Sequence, residues 1–234
     1  MRTTGSNSGR ASLRPAVLTD FDDTAAQQNV AELLLNRFGH PSWQEVRNRF
    51  RAGDLTLKDY QEITFRHIQA DLLTMQSYVK EQANLRPYFG ELWRYCQERN
   101  FPVAVVSQGL DFYIEALLEK EGFPQVPVYS VNTSFNGNGI EYHYHHTYPG
   151  QEHRGNSKGL IVERYQQQGH QVIYIGDGRS DFEAAERADL VFAHSVLAQE
   201  CQRQGIPYRD FKDFGDVLEV LRNFPEDGAS TKST

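Results

Sequence analysis

Cysteine is scarce in this chain. Cys96 and Cys201, the only two in 234 residues, lie far apart within helix-like patterns. They do not make a disulfide framework or a zinc-ligand spacing, and they read as buried free thiols. No apolar run approaches the ~18 residues that span a bilayer. Positive charge is also short: 24 Lys and Arg against 31 Asp and Glu leave a net charge of −7. That balance argues against nucleic acid or anionic membrane as a partner. Met1 to Arg14 is rich in Ser, Thr, Gly and Arg and lacks the apolar stretch of a targeting signal. It reads as a disordered leader of a cytoplasmic protein.

Hydrophobic residues at 39% with 12% aromatics are enough to build a core. The apolar run Pro15–Leu18 reads as a buried strand that ends in Asp20, Asp22 and Asp23, with Thr24 behind them. Carboxylates this close repel one another in a low-dielectric site unless a cation or a shared proton sits among them.

Helical periodicity follows without an intervening strand, over Gln28–Phe38, from a capping-box pattern at Ser42-Trp43-Gln44-Glu45, and again from Thr56. Beyond about residue 84 strands and helices alternate. Strands are expected at Pro102–Val106, Val126–Val131, Val172–Ile175 and Leu190–Ala193. Helices are expected at Tyr88–Arg99, Phe112–Glu121, Ser157–Gln168, Asp181–Ala188, Val196–Gln204 and Phe214–Asn223. Asn136-Gly137-Asn138-Gly139, followed by alternating Ile140, Tyr142 and Tyr144, predicts a β-hairpin.

The fold class expected is α/β: a doubly wound parallel, Rossmann-like core with a small inserted helical cap and a β-hairpin. The expected organisation is a leader over 1–14, a core over 15–26 and 85–224, a cap over 27–84 and a disordered tail over 225–234.

In such a sheet the ligand site lies beyond the carboxyl ends of the strands. Three candidate strands end in reactive polar groups: Asp20 to Asp22, Ser107, and Gly176-Asp177-Gly178-Arg179-Ser180-Asp181. Lys158 opens the helix before the last of these strands. Mg²⁺ prefers carboxylate and water oxygens and commonly bridges to substrate phosphate. Lys158, Ser107 and the backbone N–H groups of Gln108 and Gly109 suit phosphate oxygens.

Taken in order, Asp20-Phe21-Asp22-Asp23-Thr24, Ser107, Lys158 and Gly176-Asp177-Gly178-x-x-Asp181 resemble the four motifs of the haloacid dehalogenase (HAD) superfamily. The helical insert between the first two resembles the cap of its phosphoserine-phosphatase-like branch. The resemblance implies a Mg²⁺-dependent phosphatase in which Asp20 is the nucleophile and forms an aspartyl-phosphate. It makes Asp22 the proton donor and then the base. Thr24 and Ser107 would hold phosphate and nucleophile, and Lys158 would neutralise charge on both. Asp177 would bind the metal with Asp20 and the backbone carbonyl of Asp22, and Asp181 would support the metal's waters or Lys158.

A narrower resemblance rests on Ser107-Gln108-Gly109-Leu110-Asp111-Phe112, Ser134-Phe135-Asn136, Gly176–Ala185 and Leu197-Ala198-Gln199-Glu200-Cys201. These segments resemble the 2-hydroxy-3-keto-5-methylthiopentenyl-1-phosphate phosphatases of methionine salvage. The substrate implied is a small phosphorylated metabolite, acted on by a monomer or homodimer. Phosphoserine or pyridoxal phosphate hydrolysis, transfer of the phosphoryl group to another hydroxyl, and a non-catalytic binding domain are the alternatives. His143, His145 and His146 read as polar hairpin residues, because no carboxylate or cysteine completes a metal set. Asp23 has no assigned role.

Overall fold

The computed structural model describes residues 14–137 and 139–224. The expected tail from Pro225 and the leader before Arg14 lie outside the described residues. Arg14, read from the sequence as leader, instead opens the first strand.

The elements are β1 (Arg14–Thr19), α1 (Val30–Phe38), α2 (Trp43–Ala52), α3 (Leu57–Phe65), α4 (Leu72–Gln82), α5 (Phe89–Arg99), β2 (Val103–Leu110) and α6 (Asp111–Lys120). They continue with β3 (Val128–Asn136), β4 (Gly139–His143), α7 (Lys158–Gln167), β5 (His170–Gly176), α8 (Phe182–Ala185), β6 (Leu190–Ala193), α9 (Ser195–Gln204), β7 (Arg209–Asp210) and α10 (Phe214–Arg222). They form a seven-stranded sheet in the order β4-β3-β2-β1-β5-β6-β7. Every pairing is parallel except that of β3 with β4.

Alternation along β1 explains the layering. Ala16 and Leu18 pack on one face with Ala104, Val172 and, from α7, Ile161 and Val162. Val17 packs on the other with Val103, Ile173 and residues of α5, α6 and α10. A strand apolar on both faces belongs in the middle of a two-sided sheet. Because β1 lies between β2 and β5, the carboxyl ends of these three strands are neighbours.

Helices α1–α4 leave and rejoin the core at one point. Ala26 bridges Leu85 in antiparallel fashion, and Gln27 N–H donates to the Asn84 carbonyl at 2.9 Å. The insert covers the carboxyl edge of the sheet and packs α4 on α6, with Gln76 Nε2 donating to the Phe112 carbonyl at 3.2 Å. The hairpin closes on it from the side: the Tyr144 hydroxyl donates to Glu62 Oε1 of α3 at 3.0 Å.

Several boundaries differ from the sequence reading. β2 runs through Ser107 to Leu110, with a register break after Val106. β3 is one strand to Asn136, parallel to β2 first and then antiparallel to β4. The helix expected over Asp181–Ala188 is a 3₁₀ turn at Arg179–Asp181 followed by α8, and β7 is an added edge strand. The box at Ser42 does not form, because Ser42 already has helical angles (φ −69°, ψ −5°) and its hydroxyl sits 2.8 Å from His40 Nδ1. Thr56 and Asp59 do form one at the start of α3. Cys96 and Cys201 are buried free thiols. Among the described residues no helix is long and apolar enough to cross a membrane.

Candidate active site

Asp20 is the first residue beyond β1, and its N–H donates to the Ile175 carbonyl of β5 at 2.9 Å. The chain then makes a wide turn over Phe21–Ala25, in which Ala25 and Ala26 donate to the carbonyls of Asp20 and Phe21. Arg86, just past the insert, donates to the carbonyls of Asp23 and, at 2.7 Å, Thr24. Its own N–H donates to the Ala25 carbonyl at 2.8 Å. Around Asp22 the loop carbonyls are thus occupied from both sides, and Asp23 takes a left-handed conformation (φ 59°) at the apex.

At the centre of the site Lys158 Nζ stands 2.7 Å from Asp20 Oδ1 and 2.6 Å from Asp181 Oδ1. The lysine is only 2% exposed. Burial disfavours its charge, yet the carboxylates of Asp181 and Asp20 outweigh that and hold it protonated well above its ordinary range. Asp181 accepts four hydrogen bonds: Oδ1 from Lys158 and the Tyr174 hydroxyl, Oδ2 from the N–H groups of Asp177 and Gly178. Burial raises its pKa, but the Lys158 charge and these bonds prevail and lower it. The loop can fold this tightly because position 176 has no side chain; a Cβ there would lie 2.5 Å from Asp181 Cγ.

Asp20 and Asp177 are pushed the other way. Burial and then the Asp181 charge raise Asp20 well above the carboxylate range, against Lys158. The same two causes push Asp177 up to about 7. Oxygens of Asp20, Asp177 and Asp181 lie within 4.8 Å of one another. Carboxylates whose negative charge is this costly are the donor set a divalent cation relieves. Asp181 has its oxygens already saturated by donors, so the two carboxylates that fit a cation here are Asp20 and Asp177.

Asp22 is held apart from this group. Its Oδ1 accepts the N–H groups of Val30 and Ala31 at the start of α1, at 2.7 and 3.2 Å. Its Oδ2 accepts the Tyr113 hydroxyl at 2.9 Å. Burial dominates and pushes the carboxyl up to about 6, although these donors favour the ionised form. Tyr113 reaches it only past Gly109, where a Cβ would meet the hydroxyl at 2.1 Å.

Asp20, Asp22, Ser107, Gln108, Gly109, Lys158 and Asp177 all line one cavity of about 830 Å³. Its opposite wall comes from the insert, where Phe50, Leu55, Leu57, Tyr60 and Phe65 form an apolar stretch beside the ion-paired Glu32, Arg47 and Arg51. Two residues sit differently from the sequence reading. Thr24 is fully buried and does not line the cavity; its hydroxyl donates to Asp177 Oδ1 at 2.9 Å. The Gly109 N–H, expected to face phosphate, donates to Ser107 Oγ at 2.9 Å. His143 and His145 stack with ring centroids 6.3 Å apart and do not line the cavity, and His143 Nε2 contacts Ser134 Oγ.

Sequence reasoning missed Tyr113, Tyr174, Arg86 and Gln61. A tyrosine inside the apolar run Val172–Ile175 is a usable signal, since a buried hydroxyl needs a partner. Nothing local marks the other three.

The profile of the haloacid dehalogenase-like hydrolases matches residues 17–186. A "2-hydroxy-3-keto-5-methylthiopentenyl-1-phosphate phosphatase" of Brevibacillus brevis is 27% identical over 215 residues, 89% of this chain and 95% of that protein. A protein of the same name from Bacillus mycoides is 29% identical over 90% of this chain and 97% of its own. A solved phosphoserine phosphatase, an analogue of its phospho-aspartyl intermediate, superposes with a TM-score of 0.66 at 17% identity. It covers 91% of this chain and 99% of its own, which establishes the likeness of fold. With motif order, sheet topology and family profile in agreement, the chain belongs to the haloacid dehalogenase-like hydrolases.

Proposed function

We propose that this protein is a Mg²⁺-dependent phosphatase that hydrolyses a small phosphorylated metabolite through an aspartyl-phosphate on Asp20. The observation that carries the reading is the Lys158 ammonium, 2.7 Å from Asp20 Oδ1, beside carboxylates that a cation would relieve. In the first step an Asp20 oxygen attacks phosphorus, the bond to the leaving oxygen breaks, and Asp22 gives that oxygen its proton. In the second, water attacks the same phosphorus, Asp22 takes the water's proton, and Asp20 leaves as free carboxylate with inorganic phosphate. A carboxyl pushed up to about 6 suits both roles near neutral pH.

Asp20, Asp177 and the backbone carbonyl of Asp22 are the groups that would hold Mg²⁺. When bound, it offsets charge on the phosphate and on Asp20. Lys158 supplies fixed positive charge and orients Asp20, and Asp181 holds Lys158. The Ser107 hydroxyl is left to donate to a phosphate oxygen, because its lone pair already accepts from Gly109 N–H. Thr24 acts by orienting Asp177.

For the substrate we propose 2-hydroxy-3-keto-5-methylthiopentenyl-1-phosphate, the compound in the names of the curated relatives. The apolar wall of Phe50, Leu55 and Leu57 supports a ligand with an apolar methylthio end. Phosphate release should be measured over a panel that includes this compound, phosphoserine and pyridoxal phosphate, with Mg²⁺ and then with chelator. The expected result is a preference for the methylthio compound, lost with chelator and in Asp20→Asn. Equal rates across the panel would reject the substrate; undiminished release by Asp20→Asn would reject the nucleophile.

A further inference from the structure

One buried polar side chain of the insert takes no part in the chemistry above. Gln61, on α3, is 6% exposed, and its Nε2 donates to the backbone carbonyl of Gln108 at 2.6 Å. That carbonyl belongs to the same peptide unit as the Gly109 N–H, which donates to Ser107 Oγ at 2.9 Å. The peptide plane between Gln108 and Gly109 is therefore gripped at both ends. On one side is a residue of the insert, and on the other the Ser107 hydroxyl. The Gln108 side chain is also fixed, with Nε2 donating to the Asn156 carbonyl at 2.7 Å.

We propose that Gln61 is a positioning residue for Ser107. Its bond to the Gln108 carbonyl sets the tilt of the peptide, so that Gly109 N–H occupies a lone pair of Ser107 Oγ and directs the Ser107 proton toward the phosphate. Hydrogen bonds at the two ends of one amide polarise each other and strengthen together. A peptide at a register break, where β2 departs from β3 after Val106, has lost ladder bonds that would otherwise hold its plane. The donor that replaces them comes from the insert, so Ser107 is set only when the insert lies against the core.

This inference rests on the phosphatase reading, and wild-type turnover and inhibition by inorganic phosphate are measured first. Absence of both would reject that reading rather than the role of Gln61. The variants are Gln61→Met, which keeps shape but has no donor, Ser107→Ala, and the two combined. Gln61→Met is expected to lower kcat/KM about tenfold and to weaken inorganic phosphate inhibition by a similar factor, the size of one lost hydrogen bond. In the Ser107→Ala background it is expected to have little further effect, because the group it orients is gone.

Inorganic phosphate has no organic part. An unchanged inhibition constant alongside a raised KM for the ester would mean that Gln61 contacts the organic moiety directly, which overturns the proposal. Full additivity with Ser107→Ala also overturns it. If Gln61→Met fails to fold, Gln61→Leu, uncharged and likewise without a donor, is read in the same way.

Discussion

The Tyr113 hydroxyl donates to Asp22 Oδ2 at 2.9 Å across 91 positions of sequence. It joins the first turn of α6 to the loop after β1 and stabilises the charged form of a carboxyl that burial pushes toward the neutral one. Tyr113→Phe removes that support, so Asp22 should titrate above its present value of about 6. If Asp22 is the proton donor proposed above, the alkaline limb of kcat/KM reflects loss of its proton and should move to higher pH. A profile with an unmoved alkaline limb would show that another group sets it.

The same carboxyl makes stability pH-dependent. Its ordinary value is 3.8 and its folded value about 6. Between these the folded protein keeps a proton that the unfolded chain has released. Its contribution is therefore full below about pH 4 and is lost as pH rises through about 6. Against Asp22→Asn, which cannot ionise, wild type should lose ~2–3 kcal/mol across this window. Denaturant melts of the two proteins at pH 4 and pH 7 read the difference.

Gly109 offers a steric test of the same contact. A Cβ there would sit 2.1 Å from the Tyr113 hydroxyl and 2.9 Å from Cζ. Gly109→Ala should cost about 1–3 kcal/mol, the range for an overpacked core. It should cost less in the Tyr113→Phe background, where the closest clash is gone although the ring remains. Equal costs in both backgrounds would place the strain elsewhere.

Lys158→Met leaves Asp20 and Asp181 buried without their shared cation, a change worth ~3–5 kcal/mol when one partner of a buried pair is lost. Phosphate release should be abolished. Added Mg²⁺ should raise the melting temperature of this variant more than that of wild type, since the carboxylates then depend on it alone. A Mg²⁺ response equal to that of wild type would separate the lysine from the cation site.

The parts of the fold legible in the sequence were those written in short-range pattern. Apolar runs such as Ala16-Val17-Leu18 signalled strands buried on both faces, and the order of Asp20, Ser107, Lys158 and Asp177 signalled convergence at one sheet edge. The structure brings these residues around one cavity. What stayed hidden was contact at long range. Neither Tyr113 nor Gln61 differs in pattern from an ordinary buried helix residue; each acquires its partner only when separate elements are packed. Thr24 illustrates the opposite error. Its place beside the acidic cluster suggested phosphate, but the turn faces it inward, where its hydroxyl meets Asp177.

The bridge of Ala26 with Leu85 means that the sheet never needs α1–α4 to be threaded. Adjacent strands stand about 4.8 Å apart, so a tight turn could join the two positions and leave every strand neighbour as it is. As topology, the excursion is a removable module, exchangeable for another of different shape at the same junction. Chemically it is not, because the N–H groups of Val30 and Ala31 that hold Asp22 depart with it. A replacement module would have to begin with a helix whose amino terminus faces the Asp22 carboxylate, and the loop thereby restricts which modules the junction can accept.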